Sequence, residues 1–113
     1  ELKQAGDGLL YEQVLKTVST WCTPENTMFV VGATQADSFI NIRKLTPDHF
    51  YLVPGVGAQG GSLREISEKA MNKDCGILVN ASRAIIFASS GTDFAERAAE
   101  VASEYQEEMS GYL

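Results

Sequence analysis

The chain has 113 residues, which is enough for one small domain with a core. It is 44% hydrophobic and 21% charged with a net charge of −6, a globular balance that argues against a nucleic-acid partner. No apolar run approaches the roughly 18 residues of a membrane helix, and no ligand spacing links His49, the only histidine, to Cys22 and Cys75, which excludes a zinc site.

The two cysteines are expected to be reduced apolar fillers of a cytoplasmic protein. The opening ELKQAGDG is polar, shows no signal peptide and lacks an initiator Met, so a chain that is processed, truncated or a piece of a longer one is expected. Val14, Leu15, Val18, Trp21 and Cys22 then fall on one face of a helix over 10–22, which Pro24 stops. Residues 28–33, MFVVGA, read as a buried strand. Thr34 is a candidate cap for a helix over 35–45 that sets Ala36, Phe39 and Ile40 on one side, before Pro47 and Asp48. Residues 50–54, FYLVP, read as the second strand. After a glycine-rich loop, Ser62 and Glu65 form a capping box for a helix over 63–72 with Leu63, Ile66, Ala70 and Met71 inward. GILVNA at 76–81 is the third strand. The last helix, over 93–109, carries Phe94, Ala98, Val101, Ala102, Tyr105 and Met109 on one side and a solvated glutamate face on the other.

The order αβαβαβα predicts an α/β fold of three parallel strands and four helices with right-handed crossovers. Periodicity alone leaves open whether this is a small open sheet or a slice of a barrel. Ligands of such proteins sit beyond the C-terminal ends of the strands. Three places qualify: Thr34, the loop at 54–61 and the stretch from Asn80 to Arg83.

The loop PGVGAQGG carries the strongest signal. Gly55, Gly57 and Gly60 match GxGxxG between a strand and a helix, the pattern of a dinucleotide fingerprint. That fingerprint needs an acidic residue at the end of the next strand, which here ends Asn80, Ala81, Ser82, Arg83. No Lys-Ser or Lys-Thr follows the glycines, so it is not a Walker loop. A plain chain-reversing turn would not need so many glycines, whereas backbone N–H groups drawn close to an anion would. Arg83, beside Ser82 and just past a strand, adds a guanidinium suited to a phosphate dianion. His49 precedes a strand, at the end away from ligands, and reads as a surface or packing residue.

FVVGAT at 29–34, LVPGVGAQGG at 52–61 and VNASRAIIFA at 79–88 resemble the last three strands of the orotidine 5'-phosphate decarboxylase family, bacterial subgroup. The resemblance runs from about residue 8 to the end. It implies the C-terminal part of a (β/α)8 TIM barrel, with residues 1–113 forming a single partial segment that holds strands 6–8 and helices 5–8. It implies a homodimeric, cytoplasmic carboxy-lyase that converts orotidine monophosphate to uridine monophosphate and CO2, with no metal and no organic cofactor. By position, Gln59 and Arg83 would contact the substrate phosphate, joined by Ser82, which stands where many relatives have glycine. Pro54, Gly55, Val56, Gly57 and Gly60 would form the substrate loop. The family's D-x-K-x-x-D motif has no counterpart here; Glu1, Lys3 and Asp7 imitate it only loosely. No catalytic residue is expected in this chain, and the 113 residues alone are expected to be inactive. The alternatives are a free-standing phosphate-binding module or another sugar-phosphate-binding barrel enzyme. Intact mass compared with the full reading frame separates the module from the enzyme fragment.

Overall fold

Each strand owes its place to a neighbouring helix packed on one face of the sheet. In the computed structural model, which describes residues 9–57 and 60–113, α1 spans Leu10–Trp21 and β1 spans Met28–Val30. A short 3-10 helix, Ala33–Gln35, leads into α2, Ser38–Leu45. Then come β2, Phe50–Pro54; α3, Leu63–Ala70; β3, Ile77–Asn80; α4, Ser82–Ile86; and α5, Phe94–Ser110.

The strands pair in parallel in the order β1-β2-β3. Met28 lies beside Phe50, Val30 beside Leu52, Leu52 beside Leu78, and Pro54 beside Asn80. Successive side chains of a strand point to opposite faces, and here the faces differ sharply. Phe29, Tyr51, Val53, Ile77 and Val79 turn toward the helices, where Tyr51 and Val53 are fully buried. There they meet Leu15 of α1, Phe39 and Ile42 of α2, and Leu63, Ile66 and Ala70 of α3. Each large buried side chain contributes about 1.5–3 kcal/mol by leaving water. Met28, Val30, Phe50, Leu52, Pro54, Leu78 and Asn80 occupy the other face, where Met28, Val30 and Leu78 are about half or more exposed.

Local chemistry sets the helix starts. The Ser62 hydroxyl accepts from the Glu65 N–H at 3.2 Å and opens α3, as the capping pattern predicts. In α1 the Glu12 carboxylate accepts from the Leu9 N–H at 3.3 Å.

A second polar network pins the opposite, N-terminal end of the sheet. The Arg43 guanidinium lies 4.0 Å over the Tyr51 ring. It donates to the carbonyls of Ala70 (2.8 Å from Nε), His49 (2.6 Å) and Gly76 (3.2 Å). The Tyr51 hydroxyl meets the Thr46 hydroxyl and donates to the Ile42 carbonyl. One cation thus ties the end of α3 to the approaches of β2 and β3. His49 packs beside it as a buried residue, its ring centroid 5.2 Å from that of Phe29.

Several boundaries differ from the sequence reading. There are five α-helices among the described residues, not four. The extra one, Ser82–Ile86, forms through bonds such as Ile85 N–H to the Ala81 carbonyl and Phe87 N–H to the Arg83 carbonyl. It is too short for helical periodicity to show. The helix expected over 35–45 is split, and Asp37, not Thr34, precedes its α-helical part. The first strand, expected over 28–33, ends at Val30, although the Val31 N–H still reaches the Leu52 carbonyl at 3.0 Å. The third, expected over 76–81, spans 77–80.

Candidate functional site

The C-terminal ends of β2 and β3 lie side by side, and the glycine loop after β2 converges with the start of α4 after β3. A cleft of about 110 Å3 opens there, lined by Pro54, Gly55, Val56, Asn80, Ala81, Ser82 and Arg83. Of the described residues that the sequence groups as one site, the cleft unites Pro54, Gly55, Val56, Ser82 and Arg83, whereas Gly57 and Gly60 do not line it. It adds Asn80 and Ala81. The signal that could have marked Asn80 is a polar residue closing an otherwise apolar strand. Gln59 lies outside the described residues.

The glycine loop is shaped by its own hydrogen bonds. Gly55, Gly57 and Gly60 have φ of 93°, 81° and 93°, the left-handed region in which a side chain is strained. The Gly57 N–H donates to the Gly61 carbonyl at 3.0 Å, Gly60 N–H to Gly57 at 2.8 Å, and Gly61 N–H to Gly55 at 2.9 Å. Those N–H groups are therefore turned inward, so the glycines here serve the shape of the loop. Gly61 is wedged in place: a Cβ there would stand 2.5 Å from the Ala33 Cβ and 2.6 Å from the Gly55 carbonyl oxygen. The Tyr105 hydroxyl of α5 sits against Gly57, 2.7 Å from where a Cβ would be. The last helix thus buttresses the loop.

Across the cleft, Arg83 is exposed and has no ion-pair partner among the described residues. The Ser82 hydroxyl donates to the Asn80 side-chain oxygen at 2.8 Å. The first N–H groups of a helix have no acceptor within it, and those of Ser82 and Arg83 open α4 beside the guanidinium. Such a set suits an anion with several oxygens. Among the described residues lining the cleft there is no Asp, Glu, His, Lys or Cys to act as an acid or base.

A second cleft, about 610 Å3, is larger and runs along the free edge of β1 between α1 and α2, lined by Leu10, Val14, Val30, Val31 and Ile42 among others. It is mostly apolar and reaches the C-terminal end of β1, where Gly32 and Thr34 line it, apart from the strand ends of β2 and β3.

Fold and site together define a three-strand slice of a (β/α)8 barrel with a polar, cation-bearing cleft at the C-terminal ends of its strands. No family model matches the chain. It is 58% identical over 101 residues to the orotidine 5'-phosphate decarboxylase of Flavobacterium johnsoniae, covering 89% of this chain and 37% of that one. It is 56% identical over 104 residues to the enzyme of the same name from Parabacteroides distasonis, covering 92% and 37%. Among solved structures, Leishmania donovani UMP synthase superposes with a TM-score of 0.76 at 33% identity, over 95% of this chain and 24% of that one. The OMP decarboxylase of that organism gives 0.73 at 30%, over 95% and 41%. The chain belongs to the orotidine 5'-phosphate decarboxylase family and is a C-terminal part of its barrel. It spans about 37% of the length of these curated relatives.

Proposed function

We propose that this chain is the phosphate-gripping part of an orotidine 5'-phosphate decarboxylase, the enzyme that releases CO2 from orotidine monophosphate to leave uridine monophosphate. The observation that carries the reading is the convergence of Pro54, Gly55, Val56, Ser82 and Arg83 on one cleft between neighbouring strand ends. In this reading the three strands are strands 6–8 of the barrel. Arg83 and Ser82 hold the phosphate dianion, Gln59 reaches the phosphate and closes over the pyrimidine, and Pro54 and Val56 of the substrate loop lie beside the base. Gly60 keeps the loop in its left-handed turn.

Phosphate binding energy raises the rate only where it steadies the reacting geometry. The grip on the dianion would do so by anchoring the substrate at the rim while the base lies deeper in the barrel. The lysine and aspartates that act on the base would come from the part of the relatives that this chain does not span. The complete enzyme is, on the same reading, a cytoplasmic homodimer that uses neither a metal nor an organic cofactor. The 113 residues alone should release no CO2.

The test is kcat/KM of the complete enzyme for orotidine monophosphate and for the nucleoside that lacks the phosphate. Arg83→Ala removes a charge-assisted hydrogen bond of about 1.5–3 kcal/mol, or roughly 10- to 150-fold in kcat/KM for the nucleotide. The nucleoside should barely notice. Gln59→Ala should act in the same sense and less. Equal losses on both substrates would put these residues at the reacting end and overturn the assignment.

A further inference from the structure

The phosphate grip leaves one polar lining residue without a task. Asn80 closes β3, and its neighbours on the same face of the sheet are Met28, Val30, Phe50, Leu52, Pro54 and Leu78, all apolar. It is the one polar side chain that the three strands place on that face. In a barrel this face looks toward the axis, and functional groups come from its strand ends. A side-chain amide left there without a partner carries a desolvation cost once the barrel closes over it.

Its orientation is set. The Ser82 hydroxyl donates to the Asn80 Oδ1 at 2.8 Å. With its oxygen engaged, the amide presents Nδ2 and its two hydrogens, which have no acceptor among the described residues. A glycine at position 82 could not supply that hydroxyl. Asn80 also stands deeper than Arg83: it belongs to the strand and pairs with Pro54, whereas Arg83 lies in the helix after it. A ligand whose phosphate meets Arg83 therefore brings its next group inward past Asn80.

We propose that Asn80 is a specificity-determining residue that donates from Nδ2 to an oxygen of the substrate's ribose, with Ser82 holding the amide in that orientation. This rests on the decarboxylase reading. It divides the cleft into a phosphate end at Arg83 and a sugar end at Asn80, and it gives Ser82 a second role beyond its backbone N–H.

Calorimetry on the complete protein tests it with two probes, uridine monophosphate and inorganic phosphate. Asn80→Ala should weaken the nucleotide by about 2- to 12-fold, the value of one neutral hydrogen bond, and leave inorganic phosphate within about twofold. Asn80→Asp, which keeps the shape but removes the donor and adds a negative charge, should weaken the nucleotide further. Ser82→Ala should reproduce a smaller, equally selective loss, whereas Arg83→Ala should weaken both probes. Retained phosphate binding shows that the Asn80 and Ser82 variants are folded at the site. An unchanged nucleotide Kd in Asn80→Ala, or equal losses for both probes, would overturn the proposal. Failure of the unaltered protein to bind uridine monophosphate would instead overturn the decarboxylase reading on which it stands.

Discussion

At the scale of single residues, two side chains at the N-terminal end of the sheet set measurable stability. His49 is only 6% exposed, and neither ring nitrogen has a hydrogen-bond partner. Burial pushes its pKa below the ordinary 6.5, Asp48 pulls it back up, and Arg43 adds to the depression. The unfolded chain therefore binds the proton more readily. Stability from the neutral ring is complete above about pH 6.5 and drains away as pH falls toward the depressed folded value. Urea unfolding from pH 7.5 to 5 should show this decline, and His49→Phe, which keeps the contact with Phe29, should flatten the difference. A parallel decline in the variant would assign the effect to carboxylates. Arg43→Lys should lower unfolding free energy by at least about 1.5–3 kcal/mol, because an ammonium cannot bridge the Ala70, His49 and Gly76 carbonyls at once. A denaturation midpoint within error of the parent would show those carbonyls to be satisfied without the fork.

At the scale of elements, the glycine loop stands or falls as a unit. Gly61→Ala would drive a Cβ into backbone at Gly55 and into Ala33, so one of them must move. Overpacking of this kind costs about 1–3 kcal/mol, and in the complete enzyme it should also lower affinity for uridine monophosphate. Gly32→Ala is the control: no atom lies within 4 Å of its Cβ position and its φ is −66°. Thermal unfolding should separate the two; similar midpoints would mean that the loop yields freely. This loop also shows how far the sequence could be read. Its place between a strand and a helix, and the Ser62 cap after it, are local and were legible. So were the three strands, because short apolar runs bounded by Pro and Gly leave few alternatives. The inward turn of the loop's N–H groups was not legible, since it depends on which carbonyl each one meets. Nor was the Arg43 network, whose partners at Ala70 and Gly76 are far away in sequence. Cys75, with φ of 73°, sits in a tight turn closed by reciprocal Asn72–Cys75 backbone bonds of 3.1 Å, and nothing in its residue type announces that.

At the scale of the whole molecule, the chain has the proportions of a slice. Its radius of gyration is 15.9 Å and its extents are 55 × 28 × 22 Å, against about 13 Å for a compact domain of this length. α5 runs for 17 residues without one buried side chain. The sheet exposes Val30 at 69%, Leu78 at 52% and Met28 at 48% on the face that a barrel turns inward. The outer edges of β1 and β3 have no partner strand among the described residues, and the apolar cleft beside β1 runs along one of them. In a closed barrel, the neighbouring strands and helices would cover the inner face, the open edges and the cleft; in the isolated chain, water does. Exposed apolar surface and open parallel edges both favour association. The 113-residue chain should therefore self-associate at high concentration, with a mass in light scattering that rises with concentration. Leu78→Lys with Val30→Lys should suppress that rise by putting charge on the inner face, while Glu104→Lys on the outer side of α5 should not. A monodisperse monomer across that range would mean that three strands and five helices suffice as a soluble unit, and would revive the free-standing module as a reading of this chain.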